Sequence, residues 1–166
     1  MTSISFLTET DIASDIACAI DAILDISGLN RVRITSLYIE NVELTNGNKL
    51  LDRLLELVKK GTEVTILIGR RPNLSHWIRF FEELETFGVN LYYNRRIHSK
   101  MLLLDCRDEK VVLMSSANYT HGGLHYKHEV GVCLKDLSLG KYNKLGEFFN
   151  YVLGSEETQV LRNVVR

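Results

Sequence analysis

Proline is almost missing from this chain: Pro72 is the only one in 166 residues. Internal repeats, low-complexity stretches and flexible linkers are missing as well, so residues 1–166 read as one domain. Cysteine is equally sparse. Cys18, Cys106 and Cys133 are odd in number, widely spaced and without a C-x-x-C pair, which excludes a disulfide framework and a zinc site. Free thiols of this kind suit a reducing cytoplasm, the location expected here. No apolar run approaches the ~20 residues of a membrane span. Met1 to Leu7 has neither the basic start nor the apolar stretch of a secretory signal, so no membrane anchor is expected. Charge of one sign is also lacking, since 20 Lys and Arg face 21 Asp and Glu for a net charge of −1. Any attraction for a polyanion must therefore come from a local patch.

What is present is a regular alternation of apolar patterns. Ile12, Ile16, Ile20, Ile23 and Leu24 fall on one face of a helix expected over 11–27, with Thr8 or Thr10 ahead of it as N-cap. Val32 to Ile39 is short, β-branched and strand-like. The stripe Leu50, Leu51, Leu54, Leu55 and Val58 predicts a helix over 46–60, with Gly61 as its stop. A strand over 63–68 follows. Pro72 then breaks the chain before a helix carrying Trp77, Phe80, Phe81, Leu84 and Phe87, which Gly88 ends. Strands are expected over 89–93, 97–105, 110–115 and 129–134, and a last helix over 137–153 with Gly154 as its stop. βα alternation followed by hairpin-linked strands indicates an α/β fold, a mixed sheet sandwiched by helices. The tail from Ser155 to Arg166, with Val160, Leu161, Val164 and Val165, could extend a helix or pack on a partner.

The chemistry concentrates in one hairpin. His98-Ser99-Lys100 is followed after four residues by Asp105, and then by Ser116-Ala117-Asn118. Side chains two apart on a strand share a face, which pairs His98 with Lys100 and Ser116 with Asn118. A three-residue loop closing Cys106 on Lys110 would set Lys100 opposite Ser116 and His98 opposite Asn118. An ammonium and a carboxamide can donate to the non-bridging oxygens of a phosphodiester. An imidazole can attack phosphorus or protonate a leaving oxygen near neutral pH. Asp105 has the opposite parity and is expected to brace the loop or the site.

The pattern H-x-K-x4-D followed by S-x-N resembles the signature of the phospholipase D superfamily. The resemblance implies metal-independent phosphodiester cleavage through a phosphohistidine, with no cofactor. It also implies a glutamate on the strand after S-x-N that orients the catalytic histidine, a place filled here by Glu129. Two positions depart from the pattern. Ser115 stands where glycine is common before S-x-N, and His128 stands where asparagine is common before the glutamate. His125-Tyr126-Lys127 is a second H-x-K, but Val132 occupies the aspartate position and no S-x-N follows, so it reads as a decoy. His121, His125 and His128 match no standard metal-ligand spacing and read as loop histidines beside Gly122-Gly123.

Larger members of the superfamily carry two copies of the motif in one chain, and this chain carries one. The resemblance therefore implies a homodimer in which two His98 side chains face each other across a twofold axis. One would attack phosphorus while the other protonates the leaving oxygen. Arg70, Arg71, Arg95, Arg96 and Lys127 lie near the ends of the expected strands and could hold flanking phosphates. Small single-motif members are typically nucleases. Some stand alone and others are cutting modules in which a partner protein could supply specificity. DNA or RNA is the expected substrate. A lipid phosphodiesterase or phosphatidyl transferase, and a non-catalytic nucleic-acid-binding module, are the alternatives.

Overall fold

The structure, a computed structural model, describes residues 2–10, 13–45, 47–125 and 128–161. Its framework is one nine-stranded mixed sheet. In chain order the elements are β1 (Ser3–Thr10), β2 (Ala13–Ser14), α1 (Asp15–Leu24), β3 (Leu29–Ser36), α2 (Leu50–Lys59), β4 (Glu63–Ile68), α3 (Ser75–Thr86) and β5 (Asn90–Tyr93). They continue with β6 (Met101–Cys106), β7 (Lys110–Ser115), α4 (His121–His125), β8 (Val130–Lys135), α5 (Leu139–Leu153) and β9 (Gln159–Val160). The strand order is β2-β1-β8-β7-β6-β3-β4-β5-β9. The β3–β4 and β4–β5 pairs are parallel, and the remaining pairs are antiparallel.

Alternation along the central strands sends apolar side chains to both faces. Val32, Ile34, Val64, Ile66 and Ile68 join Ile16, Ile20 and Ile23 of α1, Leu54 of α2 and Leu84 of α3 in the larger core. Leu67, Leu103 and Val112 meet Tyr142, Phe149 and Val152 of α5 in a smaller core on the other face. The result is the expected mixed sheet between helical layers. Gly61 and Gly88, both left-handed at φ +86° and +92°, end α2 and α3 as expected.

Several boundaries differ from the sequence expectation. Thr8 and Thr10 do not cap a helix: they lie in β1, whose hairpin partner β2 precedes an α1 that starts only at Asp15. Asp11 and Ile12 fall outside the described residues. β3 runs over Leu29–Ser36 rather than 32–39, because the chain leaves the sheet once Ser36 is reached. β6 begins at Met101, so Ile97 to Lys100 forms an extended lead-in and not its first half. Gly122 and Gly123 sit in the short α4 instead of a loop. Part of the tail becomes β9, which pairs with β5 and buries Leu161, while Val164 and Val165 lie outside the described residues.

The hairpin register also changes. Asp105 pairs with Lys110 around a four-residue turn, and Cys106 N–H donates to the Glu109 carbonyl at 3.1 Å. Met101 therefore faces Met114, and Lys100 meets Ser115 (Ser115 N–H to Lys100 O, 3.1 Å) instead of Ser116. One extra residue in the turn moves every pair on the expected ladder by one.

Candidate active site

Parallel and antiparallel pairing bring several strand ends to one edge of the sheet. The C-termini of β3, β4, β5 and β7 lie beside the N-termini of β6 and β8. The carboxyl ends of parallel strands are where such sheets commonly form a crevice. His98 and Lys100 arrive there on the lead-in to β6, Ser116 and Asn118 on the exit from β7, and Glu129 on the entry to β8. Two glycines permit this crowding. A Cβ on Gly69, at the exit from β4, would lie 1.9 Å from the Ile97 carbonyl oxygen, and one on Gly123 would lie 2.4 Å from that of Asn118.

Lys100 is 9% exposed and His98 is exposed. The Lys100 Nζ lies 3.3 Å from His98 Nδ1. A charged Lys100 can only donate, so in this arrangement a neutral imidazole carries its proton on Nε2. Burial lowers the Lys100 pKa, and the nearby Glu129 carboxylate partly opposes that shift.

The expected contact between Glu129 and His98 Nδ1 is not made. The Glu129 carboxylate instead accepts a hydrogen bond from Ser116 Oγ, which itself accepts from Val130 N–H at 3.0 Å. Two main-chain neighbours explain this choice: Ser116 N–H donates to the Val130 carbonyl at 2.9 Å, so both residues are fixed side by side. Asp105 is not brought to the cluster. It lies at the turn end of β6, five residues or roughly 16 Å from Lys100, in an ion pair with Lys110 Nζ at 2.5 Å. There it ties the turn together.

The four arginines expected to hold flanking phosphates share the edge. Arg70 and Arg71 follow β4, and Arg95 and Arg96 follow β5. Each is exposed but tethered. Arg70 packs over the Tyr38 ring at 5.2 Å and bonds its hydroxyl. Arg71 lies over Tyr93 at 4.9 Å and donates to Gln159. Arg95 and Arg96 reach Glu157 at 4.0 and 2.7 Å. Lys127 lies outside the described residues. Among those described, no group of three or more His, Cys, Asp and Glu could hold a metal ion, and no helix is long and apolar enough to cross a membrane.

A family model described as "Cardiolipin synthase, PLD-like domain" matches residues 24–151. The chain belongs to the phospholipase D-like family. Its fold is similar to that of Nuc, a phospholipase D family member from Salmonella typhimurium, at 18% identity and TM-score 0.73, covering 90% of this chain and 93% of Nuc. NucT from Helicobacter pylori is similar at 15% identity and TM-score 0.71, covering 93% of this chain and 98% of NucT. Phosphatidylserine synthase from Haemophilus influenzae Rd KW20 is similar at 16% identity and TM-score 0.70, covering 96% of this chain but 40% of that one. No curated protein matches the chain.

Within this phospholipase D-like site, the sequence pattern did not point to Thr35 and Ser36. Both are fully buried at the end of β3. Ser99 Oγ donates to Thr35 Oγ1 at 2.9 Å, and Ser36 Oγ lies 3.5 Å from Asn118 Oδ1. The one available signal was a Thr-Ser doublet after the β-branched residues Val32 and Ile34.

Proposed function

We propose that this phospholipase D-like chain is a nuclease that cleaves DNA or RNA through a phosphohistidine, in a composite site built by two copies. The observation that carries this reading is the His98–Lys100 pair set beside Asn118, Ser116 and Glu129 on an arginine-rimmed edge. Lys100 and the Asn118 amide would stabilise the non-bridging oxygens as charge builds on them. His98 Nε2 of one copy would bond to phosphorus as the P–O bond to the leaving group breaks. His98 of the second copy, as an imidazolium protonated on both ring nitrogens, would protonate that oxygen from Nε2 and become neutral. Water would then attack phosphorus, give its proton back to the second His98 and release the first. The nucleophilic copy needs its proton on Nδ1 and a carboxylate to receive it. Glu129, near enough to Lys100 to affect its titration, is the group suited to that role.

A second copy would also cover an unusual surface. Ile4 and Phe6 of β1 and Val130 of β8 are 59%, 83% and 63% exposed. Strand pairing sets Ile4 opposite Leu134 and Phe6 opposite Val132, on the face that carries α5. Val130 is hydrogen-bonded to Ser116, so this apolar strip runs up to the site. Four arginines at one edge suit a polyanion with phosphates on both sides of the scissile one.

The cardiolipin synthase description of the family model and the likeness to phosphatidylserine synthase favour a second reading, phosphatidyl transfer or lipid hydrolysis. One experiment separates the two. Labelled single- and double-stranded DNA and RNA are incubated with the protein in EDTA, beside vesicles of phosphatidylglycerol, using wild type and His98→Ala. Nucleic-acid cleavage by wild type alone is expected. Turnover restored only by Mg²⁺ would sink the mechanism, and turnover confined to the vesicles would transfer the site to lipid.

A further inference from the structure

We propose that Thr35 and Ser36 are positioning residues: two consecutive buried hydroxyls at the end of β3 that hold the two halves of the motif against each other. The inference rests on the phosphodiesterase reading of the site and adds to it what fixes the geometry.

Neighbours on a strand point to opposite faces. Thr35 pairs with Leu67 and Met101, which face α5, whereas Ser36 pairs with Ile68, which faces the other helical layer. Thr35 Oγ1 accepts from Ser99 Oγ at 2.9 Å and so grips the residue between His98 and Lys100. Ser36 lies beside the other segment. Its Oγ accepts from Tyr119 N–H at 3.4 Å and lies 3.5 Å from Asn118 Oδ1, while its proton is directed mainly to the Tyr38 carbonyl at 2.5 Å. With the carboxamide oxygen turned toward Ser36, the Asn118 NH₂ group is directed away from it and free to donate to a substrate oxygen.

Both motif segments lie outside regular strands, and Ser115 N–H to Lys100 O is the main-chain bond that joins them at this point. A buried hydroxyl costs free energy unless it is hydrogen-bonded. Thr35 accepts from Ser99 within one motif segment and Ser36 accepts from the Tyr119 N–H directly after the other, so the two act as a rigid spacer at the end of a central strand. Thr35 sets where the imidazole and ammonium stand, and Ser36 sets where the amide stands and which way it faces. Neither side chain touches the substrate.

The test uses Thr35→Val, which keeps the shape and loses the hydroxyl, Thr35→Ser, which keeps the hydroxyl, and Ser36→Ala. With bis(p-nitrophenyl) phosphate as substrate, Thr35→Val and Ser36→Ala should each lower kcat roughly tenfold to a hundredfold, as a small misplacement of reacting groups does. KM should change little, and Thr35→Ser should recover most of the loss. An unchanged kcat, a loss carried by KM, or a failure of Thr35→Ser to recover activity would each overturn the proposal. ¹⁵N relaxation of the Asn118 side-chain amide reads the same device without turnover. Its order parameter should fall in Ser36→Ala, and an unchanged value would overturn the role of Ser36 even in a protein that cleaves nothing. An inactive wild type with that expected fall would remove the enzymatic reading and leave the spacer standing.

Discussion

Lys100 has to be an ammonium to counter charge on a phosphodiester, and burial makes that state harder to keep. Its proton should leave below the ordinary lysine range, so the alkaline limb of kcat against pH should fall earlier than a solvated lysine would allow. Glu129 raises the Lys100 pKa, so Glu129→Gln should move that limb to still lower pH. A pH–rate profile of the two proteins checks the sign, and a limb that moves up would contradict it. At this scale the gathering of the candidate residues was legible. His98, Lys100, Ser116, Asn118 and Glu129 have distinctive side chains at fixed spacing, and the structure gathers them at one edge. Thr35 and Ser36 were not legible, because hydroxyls on a strand have no characteristic spacing and take their meaning from contacts made 64 and 82 residues away. The bond from Ser116 to Glu129 was not legible for a related reason: the Ser116–Val130 main-chain bond sets this neighbour, and sequence spacing does not reveal that bond.

Between elements, the join of α1 to α2 depends on Asp21. It is buried on α1 and receives Arg53 Nε from α2 at 2.6 Å, Asn48 Nδ2 at 3.1 Å and the Thr45 hydroxyl. Burial alone would raise its pKa, but these hydrogen bonds outweigh that effect and hold the carboxyl below its usual range. A depressed carboxylate stabilises the fold above its unfolded pKa of about 3.9 and loses that contribution as pH falls through the lower folded value. Asp21→Asn should therefore cost about 2 kcal/mol at pH 7, in line with a hydrogen bond to a charged group. The cost should shrink toward pH 2, and thermal melts across that range test it. The elements themselves were legible where an apolar run had sharp borders: β4 and β7 begin and end where expected. The β6–β7 turn was not, because three and four residues fit the same polar stretch and only packing chooses between them. β1 was missed outright, since its Ile4 and Phe6 face outward and give no sign of burial on a core.

For the molecule as a whole, the proposed mechanism, with one motif in this sequence, makes activity a property of pairs. If both His98 side chains serve one site, a dimer of wild type with His98→Ala lacks either its nucleophile or its acid. When the two chains are co-refolded at varied ratios, total activity should follow the square of the wild-type fraction. A linear dependence would mean that each chain works alone. The order of the sheet has another consequence. Its two borders are formed by β2 and β9, each only two residues long. Unpaired backbone on a sheet border is a template on which other chains can zip up, and very short border strands offer little of it. β9 in particular covers β5, a strand that would otherwise present Tyr92 and Tyr93 with their outer amides and carbonyls free. Two of the smallest elements thus guard the largest one against aggregation.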